Sequence, residues 1–263
     1  MPFPGSILKF LAVTLACLAL VSHAATFEEV QRIKSHVGIP RWKVAAQRAK
    51  AQLADPPDAA TAATWRQLDA QTDPLVGKAP LEQTTASNKP EDLLVNASWL
   101  RWRILSENAD ARYSFAYAQN LSRMRNEEGD FDQEAAIFYF HAKLALTLDG
   151  MRCTDRTKAE HLMASYVAQD ALQPLVQKIG RMQPEDKSAA ILEAISLEEM
   201  LGERPVMAWL CPRRDLEPAA SAASKPRPAK AAEAPARYLD DADWRKYRSD
   251  LLEQLTRSAM QDL

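Results

Sequence analysis

The chain has 263 residues, of which 47% are hydrophobic and 26% charged, and its formal net charge is −2 at pH 7. This nearly neutral balance excludes a general electrostatic attraction to nucleic acid or to anionic lipid. Glycine is scarce, at 7 residues, and the abundance of Ala, Leu, Gln, Glu, Lys and Arg favours helices over strands.

The first 24 residues have the layout of a secretory signal peptide. Lys9 supplies the positive charge, Phe10 to Val21 is an uncharged run of 12 residues, and Ser22 to Ala24 offers small residues for cleavage. The run is shorter than the roughly 20 residues of a membrane span. We therefore expect cleavage near Ala24, a mature chain with no transmembrane segment, and a periplasmic or secreted location. Lipidation at Cys17 fits less well, because the apolar run continues past it.

Residues 25–77 are predicted to form an N-terminal helical segment. Helical periodicity covers Phe27 to Ser35, Arg41 to Leu53 and Ala59 to Asp69. Gly38 falls between the first two and is expected to end the first helix, because glycine tolerates the left-handed conformation of helix ends. Residues 78–90 are expected to be a loop.

Residues 91–214 are predicted to be the core, an all-α antiparallel bundle of about five helices arranged as an array of α-hairpins. The connections are short, and glycines 129, 150, 180 and 202 follow periodic stretches and indicate helix ends. Glu134 to Leu148 is apolar on nearly every side, so this helix should be surrounded by others. Pro174 is expected to kink the following helix, because proline removes a backbone donor.

Cleavage of the signal leaves two cysteines, Cys153 and Cys211. Two cysteines in an exported protein usually pair, and the absence of a Cys-x-x-Cys pattern removes the usual signature of thiol redox chemistry. The closed loop of about 58 residues is worth roughly 4 kcal/mol in the chain-entropy model. We predict a structural disulfide that ties the charged stretch Leu146 to Leu162 to the end of the core.

The last third of the chain contains a change of composition. Residues 215–237 are mostly Ala, Pro, Ser and Lys, which predicts an extended linker. Residues 238–263 predict an amphipathic helix, and a lone helix of this kind needs a surface to dock on. That surface is either its own core or a protein partner. The apolar stripe that would bind it consists of Trp244, Tyr247, Leu251 and Leu255.

Part of the core resembles one half of a tetratricopeptide repeat. Gly129-Asp130-Phe131 stands where that family has a turn and an aromatic residue, and Ala135, Tyr139 and Ala142 follow with small-aromatic-small spacing. No second copy follows at the period of about 34 residues that the family requires. The resemblance therefore indicates a tight helical hairpin and gives no family membership.

A metal site is the first chemical alternative. His141 and His161 fall at similar distances on either side of the Gly150 corner, and Glu134 shares a helix face with His141. Two histidines and a glutamate can bind zinc or iron, although no compact motif such as His-Glu-x-x-His is present. The competing interpretation is that His141 is a core histidine hydrogen-bonded to a neighbour, and we predict no cofactor.

Other chemistry receives little support. Nucleophile motifs and glycine-rich phosphate loops are missing, and the acidic pair Glu198-Glu199 is expected to be solvated on a helix surface. Trp99 to Glu107 interleaves aromatic residues with arginines, which can stack on bases. Helical spacing favours a core stripe of Trp99 and Trp102 flanked by exposed Arg101 and Arg103, so we expect no nucleic acid partner.

The functional hypothesis is an exported, non-catalytic helical interaction or accessory protein of the bacterial envelope, with an unknown protein partner. It depends on the missing catalytic motifs and on the tethered C-terminal helix. The alternatives are a metal-binding protein or metal-dependent enzyme that uses His141 and His161, and a carrier of an apolar ligand in a cavity near Phe138 and Tyr166.

Overall fold

The computed structural model describes residues 26–73, 79–126, 129–153, 156–205, 209–211 and 240–262. The described chain is mainly α-helical, which confirms the all-α multi-helix bundle. Its extended pairing is a two-residue antiparallel hairpin, Arg125–Asn126 with Gly129–Asp130. The expected signal peptide and linker lie outside the described residues.

Most helices up to α10 follow one another with connections of at most five residues, as the hairpin arrangement requires, whereas α10 and α11 are separated by residues 202–240. In chain order they are α1 Phe27–Ile33, α2 Ile39–Ala54, α3 Ala59–Ala70, α4 Leu81–Ala86, α5 Pro90–Glu107, α6 Ala111–Leu121, α7 Asp132–Met151, α8 Arg156–Val167, α9 Gln173–Gly180, α10 Pro184–Leu201 and α11 Asp241–Ala259.

Helices α1 and α2 form one continuous rod, because the π-helical turn Lys34–Gly38 joins them. The predicted helix end at Gly38 is therefore wrong, and this residue keeps a right-handed φ of −62°. A Cβ atom on Gly38 would lie 2.8 Å from the Ser196 hydroxyl of α10. Glycine is present here because the rod packs directly against α10, which a periodicity argument does not detect.

The predicted loop over 78–90 is also wrong in part, because it contains α4. Thr84 of this short helix is fully buried. Its carbonyl oxygen accepts hydrogen bonds from the side-chain amides of Asn96 at 3.2 Å and Asn120 at 3.0 Å. The two buried side-chain amides therefore hold α4 in the core. The shared carbonyl oxygen of Thr84 satisfies both amides, as buried polar groups require.

Helix α7 lies at the centre of the bundle, as its all-round apolar character predicts. It packs most extensively against α6 and α10. Phe138 of α7 meets Tyr117 edge to face at a ring-centroid distance of 4.5 Å and Trp42 at 5.7 Å. The central helix therefore joins the N-terminal rod and the core into one hydrophobic unit.

Pro174 begins a helix, and the predicted kink within a single helix is wrong. Helix α8 ends at Val167, a short 3-10 turn spans Asp170–Leu172, and Pro174 stands in the first turn of α9. The first turn is the position where the missing backbone N–H has no helical partner to lose.

The predicted disulfide joins Cys153 and Cys211, whose Cα atoms are 5.3 Å apart. Both cysteines are buried. Cys153 follows the end of α7, so the bond ties the C-terminal end of the central helix to the segment after α10. The predicted pairing of the two cysteines is confirmed.

Helix α11 docks on its own bundle. Trp244 is 2% exposed and packs with Leu144, Leu148, Ile195 and Leu252. Its indole N–H donates to the Leu148 carbonyl oxygen at 3.1 Å. The remaining members of the predicted stripe are half-buried, namely Tyr247, Leu251 and Leu255. None of the helices in the described part of the chain combines the length and apolar composition that crossing a membrane requires.

Candidate functional site

The one buried histidine of the described chain lies where three helices meet. His141, in the middle of α7, has no exposed surface. Its Nδ1 lies 2.9 Å from the Ser114 hydroxyl of α6, and its Nε2 lies 3.4 Å from a carboxylate oxygen of Glu198 on α10. An imidazole in an apolar helix needs such partners, because an unsatisfied buried polar group is costly.

Glu198 is the hub of the charges around this histidine. It is 1% exposed, so the expectation that the Glu198-Glu199 pair is solvated is wrong for its first member. Its carboxylate pairs with Arg204 and with Arg248 of α11, the latter at 3.1 Å. Glu198 is buried because α10 is covered on more than one side, by α7 and by α11.

Arg204 reaches the core because the chain turns back after α10. Gly202 ends α10 with a φ of 72°, a conformation that favours glycine. Asn108, itself left-handed at the end of α5, donates from its side-chain amide to the carbonyl oxygens of Leu201 and Glu203. These contacts fix the turn and aim the Arg204 guanidinium inward.

Arg204 also pairs with Asp149 of α7 at 3.5 Å, and both side chains are at most 4% exposed. Arg152 donates to the Arg204 carbonyl oxygen at 2.9 Å and pairs with Asp241 of α11 at 3.3 Å. We call Ser114, His141, Asp149, Glu198 and Arg204 the buried ionic cluster. It connects α6, α7, α10 and, through Arg152 and Arg248, helix α11.

The environment assigns the charge states of the cluster. Burial opposes ionisation of Glu198, but Arg204, His141 and Arg248 outweigh it and lower the pKa of this carboxyl to about 2. Burial lowers the pKa of His141, with Glu198 acting in the opposite direction. Burial raises the pKa of Asp149 to about 7, although Arg204 favours its charged form. A neutral imidazole thus accepts from Ser114 and directs its Nε2–H toward the Glu198 carboxylate.

The Ser114–His141–Glu198 set contains the residue types of a hydrolytic triad, but its geometry does not fit that role. In such triads the serine bonds to Nε2 and the acid to Nδ1, whereas here the two partners are exchanged. Each of the three residues is at most 1% exposed. A substrate carbonyl cannot reach a hydroxyl in this position, so the cluster is suited to holding helices together.

The candidate ligands of the alternative metal site are not brought together. His141 is buried in the cluster, and His161 is exposed on α8. Glu134 instead accepts a hydrogen bond from the Tyr117 hydroxyl at 3.1 Å. On α8 it is Met163 that approaches α7, because a Cβ on Gly150 would come 2.7 Å from the Met163 sulfur. Among residues whose placement is described, no group of three metal-ligating side chains forms.

The region proposed for an apolar ligand is filled by side chains. Phe138 contacts Trp42 and Tyr117, and Tyr166 packs against Phe115 at a ring-centroid distance of 5.3 Å. Two surface grooves lie elsewhere in the described part of the chain, one among α3, α4 and α5 and one among α1, α10 and α11. Neither groove is lined by Phe138 or Tyr166.

The aromatic and basic stretch Trp99 to Glu107 of α5 packs into the protein interior. Trp99 is fully buried, and its indole N–H donates to Asp69 at 2.8 Å. Arg103 lies between 5.4 and 5.7 Å from the rings of Trp99, Trp102 and Tyr113. The predicted core stripe is confirmed, whereas the predicted exposure of Arg101 and Arg103 is wrong, because both are half-buried.

Comparison of the chain with models of known protein families, with curated proteins and with solved structures finds no match in any of the three. The fold and the site define the class of protein, a disulfide-tied all-α bundle with a closed ionic cluster at the junction of its central helices.

Proposed function

We propose that the protein is an exported, non-catalytic helical interaction or accessory protein of the bacterial envelope. The observation that carries this proposal is the closure of the Ser114–His141–Glu198 set, whose members are at most 1% exposed. The side chains best suited to catalysis in the described chain serve one another in the core. The proposed function is therefore binding, through residues on the protein surface.

The disulfide supports the export part of the proposal. The pairing of Cys153 with Cys211 fits an oxidising compartment such as the periplasm, since thiols are kept reduced in the cytosol. The signal peptide expected over residues 1–24 agrees with this compartment.

The docked position of α11 supports a role for this helix in completing the bundle. Trp244 is inserted beside Leu148, and Arg248 neutralises Glu198. A partner that used the Trp244 stripe would have to displace α11 from these contacts. The proposal therefore assigns partner binding to surfaces that remain open while α11 is docked.

A serine-reactive probe and a partner search test the two halves of this proposal. The folded chain from residue 25 on is treated with a fluorophosphonate, with Ser114→Ala as the control. No labelling is expected, and labelling that disappears in Ser114→Ala contradicts the non-catalytic assignment.

The tagged chain is also cross-linked in its native host and purified. Discrete heteromeric adducts are expected. A chain that is recovered without any adduct contradicts the interaction assignment, and the same search on a chain lacking residues 238–263 shows whether α11 takes part.

A further inference from the structure

The charges of the chain are distributed unevenly. The stretch 30–54, which covers most of the α1–α2 rod, contains no acidic residue and has the basic residues Arg32, Lys34, Arg41, Lys43, Arg48 and Lys50. The whole chain has a net charge of −2 and this stretch has +6, so the remainder has −8. A local basic surface thus lies on a protein that is otherwise acidic.

Two of these cations are used within the fold. Lys34 pairs with Glu199 at 2.8 Å and Arg41 pairs with Glu193 at 2.8 Å, so both attach the rod to α10. The other four are exposed, namely Arg32, Lys43, Arg48 and Lys50. Four of the six cations are therefore not needed to anchor the rod to α10. They lie on the exposed side of the rod, which we call its outer face.

The same outer face has a seven-residue pattern. A row of exposed residues recurs at alternating intervals of three and four residues, and all but the polar Gln47 are small or apolar: Val37, Pro40, Val44, Gln47, Ala51 and Ala54. Val37 and Val44 are 42% and 45% exposed, and they are two of the three large hydrophobic residues most exposed in the described chain. From Pro40 on, in the α-helix α2, such intervals place side chains in the seam position of a coiled coil, and Val37 precedes them in the π-helical turn.

Basic residues flank this row on both sides. His36, Lys43 and Lys50 precede the row at seven-residue intervals, and Arg48 follows it on the other side. We call the row and these flanks the outer seam. Positions that flank a seam select the partner helix through charge. The opposite face of the same rod is the one that turns Trp42 and Ala49 into the core.

We propose that the outer seam docks an amphipathic helix of a second protein, with apolar side chains in its own seam and acidic side chains on both flanks. This inference rests on the proposed function and names the chemistry of the partner. Charge complementarity selects the occupant, because basic flanks attract carboxylates and repel the same face of a second copy. The seam spans about 20 residues, or roughly 30 Å of helix.

An anionic lipid surface fits the seam less well. Helices that lie in a membrane interface insert Trp, Phe or Leu into the acyl boundary. The row has only Val, Pro, Gln and Ala, whereas Trp42 is buried and Leu53 is half-buried. A narrow row made mostly of small side chains instead permits close approach of a second helix backbone.

Fluorescence anisotropy with synthetic peptides tests the inference. The probe is a labelled three-heptad peptide with Leu in the seam positions and Glu on the flanks, and the control peptide has Lys on the flanks. The intact chain from residue 25 on is expected to bind the acidic peptide, more weakly as salt rises, and to leave the basic peptide unbound.

Matched variants locate the binding. Val44→Asp is expected to weaken binding of the acidic peptide about tenfold, and the double variant Lys43→Glu, Lys50→Glu is expected to reverse the preference toward the basic peptide. Leu94→Asp, at a 38% exposed apolar residue of α5 outside the seam, is expected to change nothing. Thermal unfolding of each variant checks that the fold is kept.

Three results overturn the inference: absence of peptide binding, equal binding in Val44→Asp, or flotation with phosphatidylglycerol vesicles in place of peptide binding. The proposed function survives these results if cross-linking still recovers a protein partner. It fails separately if Ser114 reacts as a nucleophile or if no partner is recovered.

Discussion

The buried ionic cluster and the outer seam both concentrate charge, but they do so in opposite surroundings. In the cluster, Arg204 is held by Glu198 and Asp149 in the core, and the nitrogen without a hydrogen-bond partner, His141 Nε2, belongs to a side chain with no exposed surface. In the outer seam, Lys43 and Lys50 accompany exposed valines on a surface helix. The first set is buried and joins helices, whereas the second is exposed and is the surface that we propose for recognition.

The largest expected effect is at the hub of the cluster. Glu198→Ala leaves Arg204 charged, buried and without one of its two carboxylates, and breaking a buried pair in this way costs about 3–5 kcal/mol. Urea unfolding measures the change. Glu253→Ala, in an exposed pair with Arg257 on α11, is the control and should change stability by less than about 0.5 kcal/mol. Equal losses of unfolding free energy in Glu198→Ala and Glu253→Ala would contradict the larger contribution assigned to the buried ion pair.

The disulfide next to the cluster gives the second effect. Replacing both Cys153 and Cys211 by Ala should cost roughly 2–4 kcal/mol, because the unfolded chain regains the freedom of the closed loop. Unfolding midpoints with and without reductant measure it. The reductant should act on the natural chain and leave the double variant unchanged, and insensitivity of the natural chain would contradict a stabilising bond.

Gly38 tests the contact that holds the rod, and with it the outer seam, against the bundle. Gly38→Ala should destabilise by about 1–3 kcal/mol, because the added methyl group overpacks the buried Ser196 contact. Gly180→Ala is the matched control, since an added Cβ there would meet no atom within 4 Å. If both substitutions prove neutral in thermal unfolding, the close approach of α2 and α10 is incorrect.

The cluster should also give stability a pH dependence. The folded pKa of Asp149, about 7, exceeds its unfolded value of about 3.9. Its contribution is therefore fully present below about pH 4 and is lost as pH rises through about 7. The stability of Asp149→Asn relative to the natural chain should therefore rise as pH increases over that interval. Urea unfolding midpoints of the two proteins measure this difference. A constant difference from pH 4 to 8 would contradict the assignment, and exposed Asp250→Asn controls for general titration.

The smallest effect is expected in the outer seam. Lys43→Glu with Lys50→Glu should change the free energy of unfolding by less than about 0.5 kcal/mol per site, because exposed substitutions away from caps and buried pairs have little effect. Circular dichroism during thermal unfolding measures it. A loss comparable with that of Glu198→Ala would show that the seam is part of the architecture.

Much of the fold could be predicted from local patterns. The apolar run Glu134 to Leu148 predicted a central helix, and two cysteines in a chain expected to be exported predicted their bond. The continuous rod through Gly38 and the helix within 78–90 could not be predicted in this way. Both depend on distant contacts, with Ser196 and with two buried amides, that no local pattern contains.

The site was predictable only in part. A lone histidine in the middle of an apolar helix indicated that His141 needs a polar partner, and one of the two interpretations offered for it was a hydrogen-bonded core residue. Its partners Ser114 and Glu198 have no sequence signal, because each is an ordinary polar residue of an amphipathic helix. Arg204 reaches them only through the turn that Gly202 and Asn108 build.

The most direct test of the account is the reactivity of its three described histidines. Diethyl pyrocarbonate modifies accessible imidazoles, and mass spectrometry of the folded chain locates the adducts. Modification is expected at the exposed His36 and His161, and none at His141 until the chain unfolds. Modification of His141 in the folded protein would mean that the cluster is open to solvent, and the non-catalytic, architectural role assigned to it would be wrong.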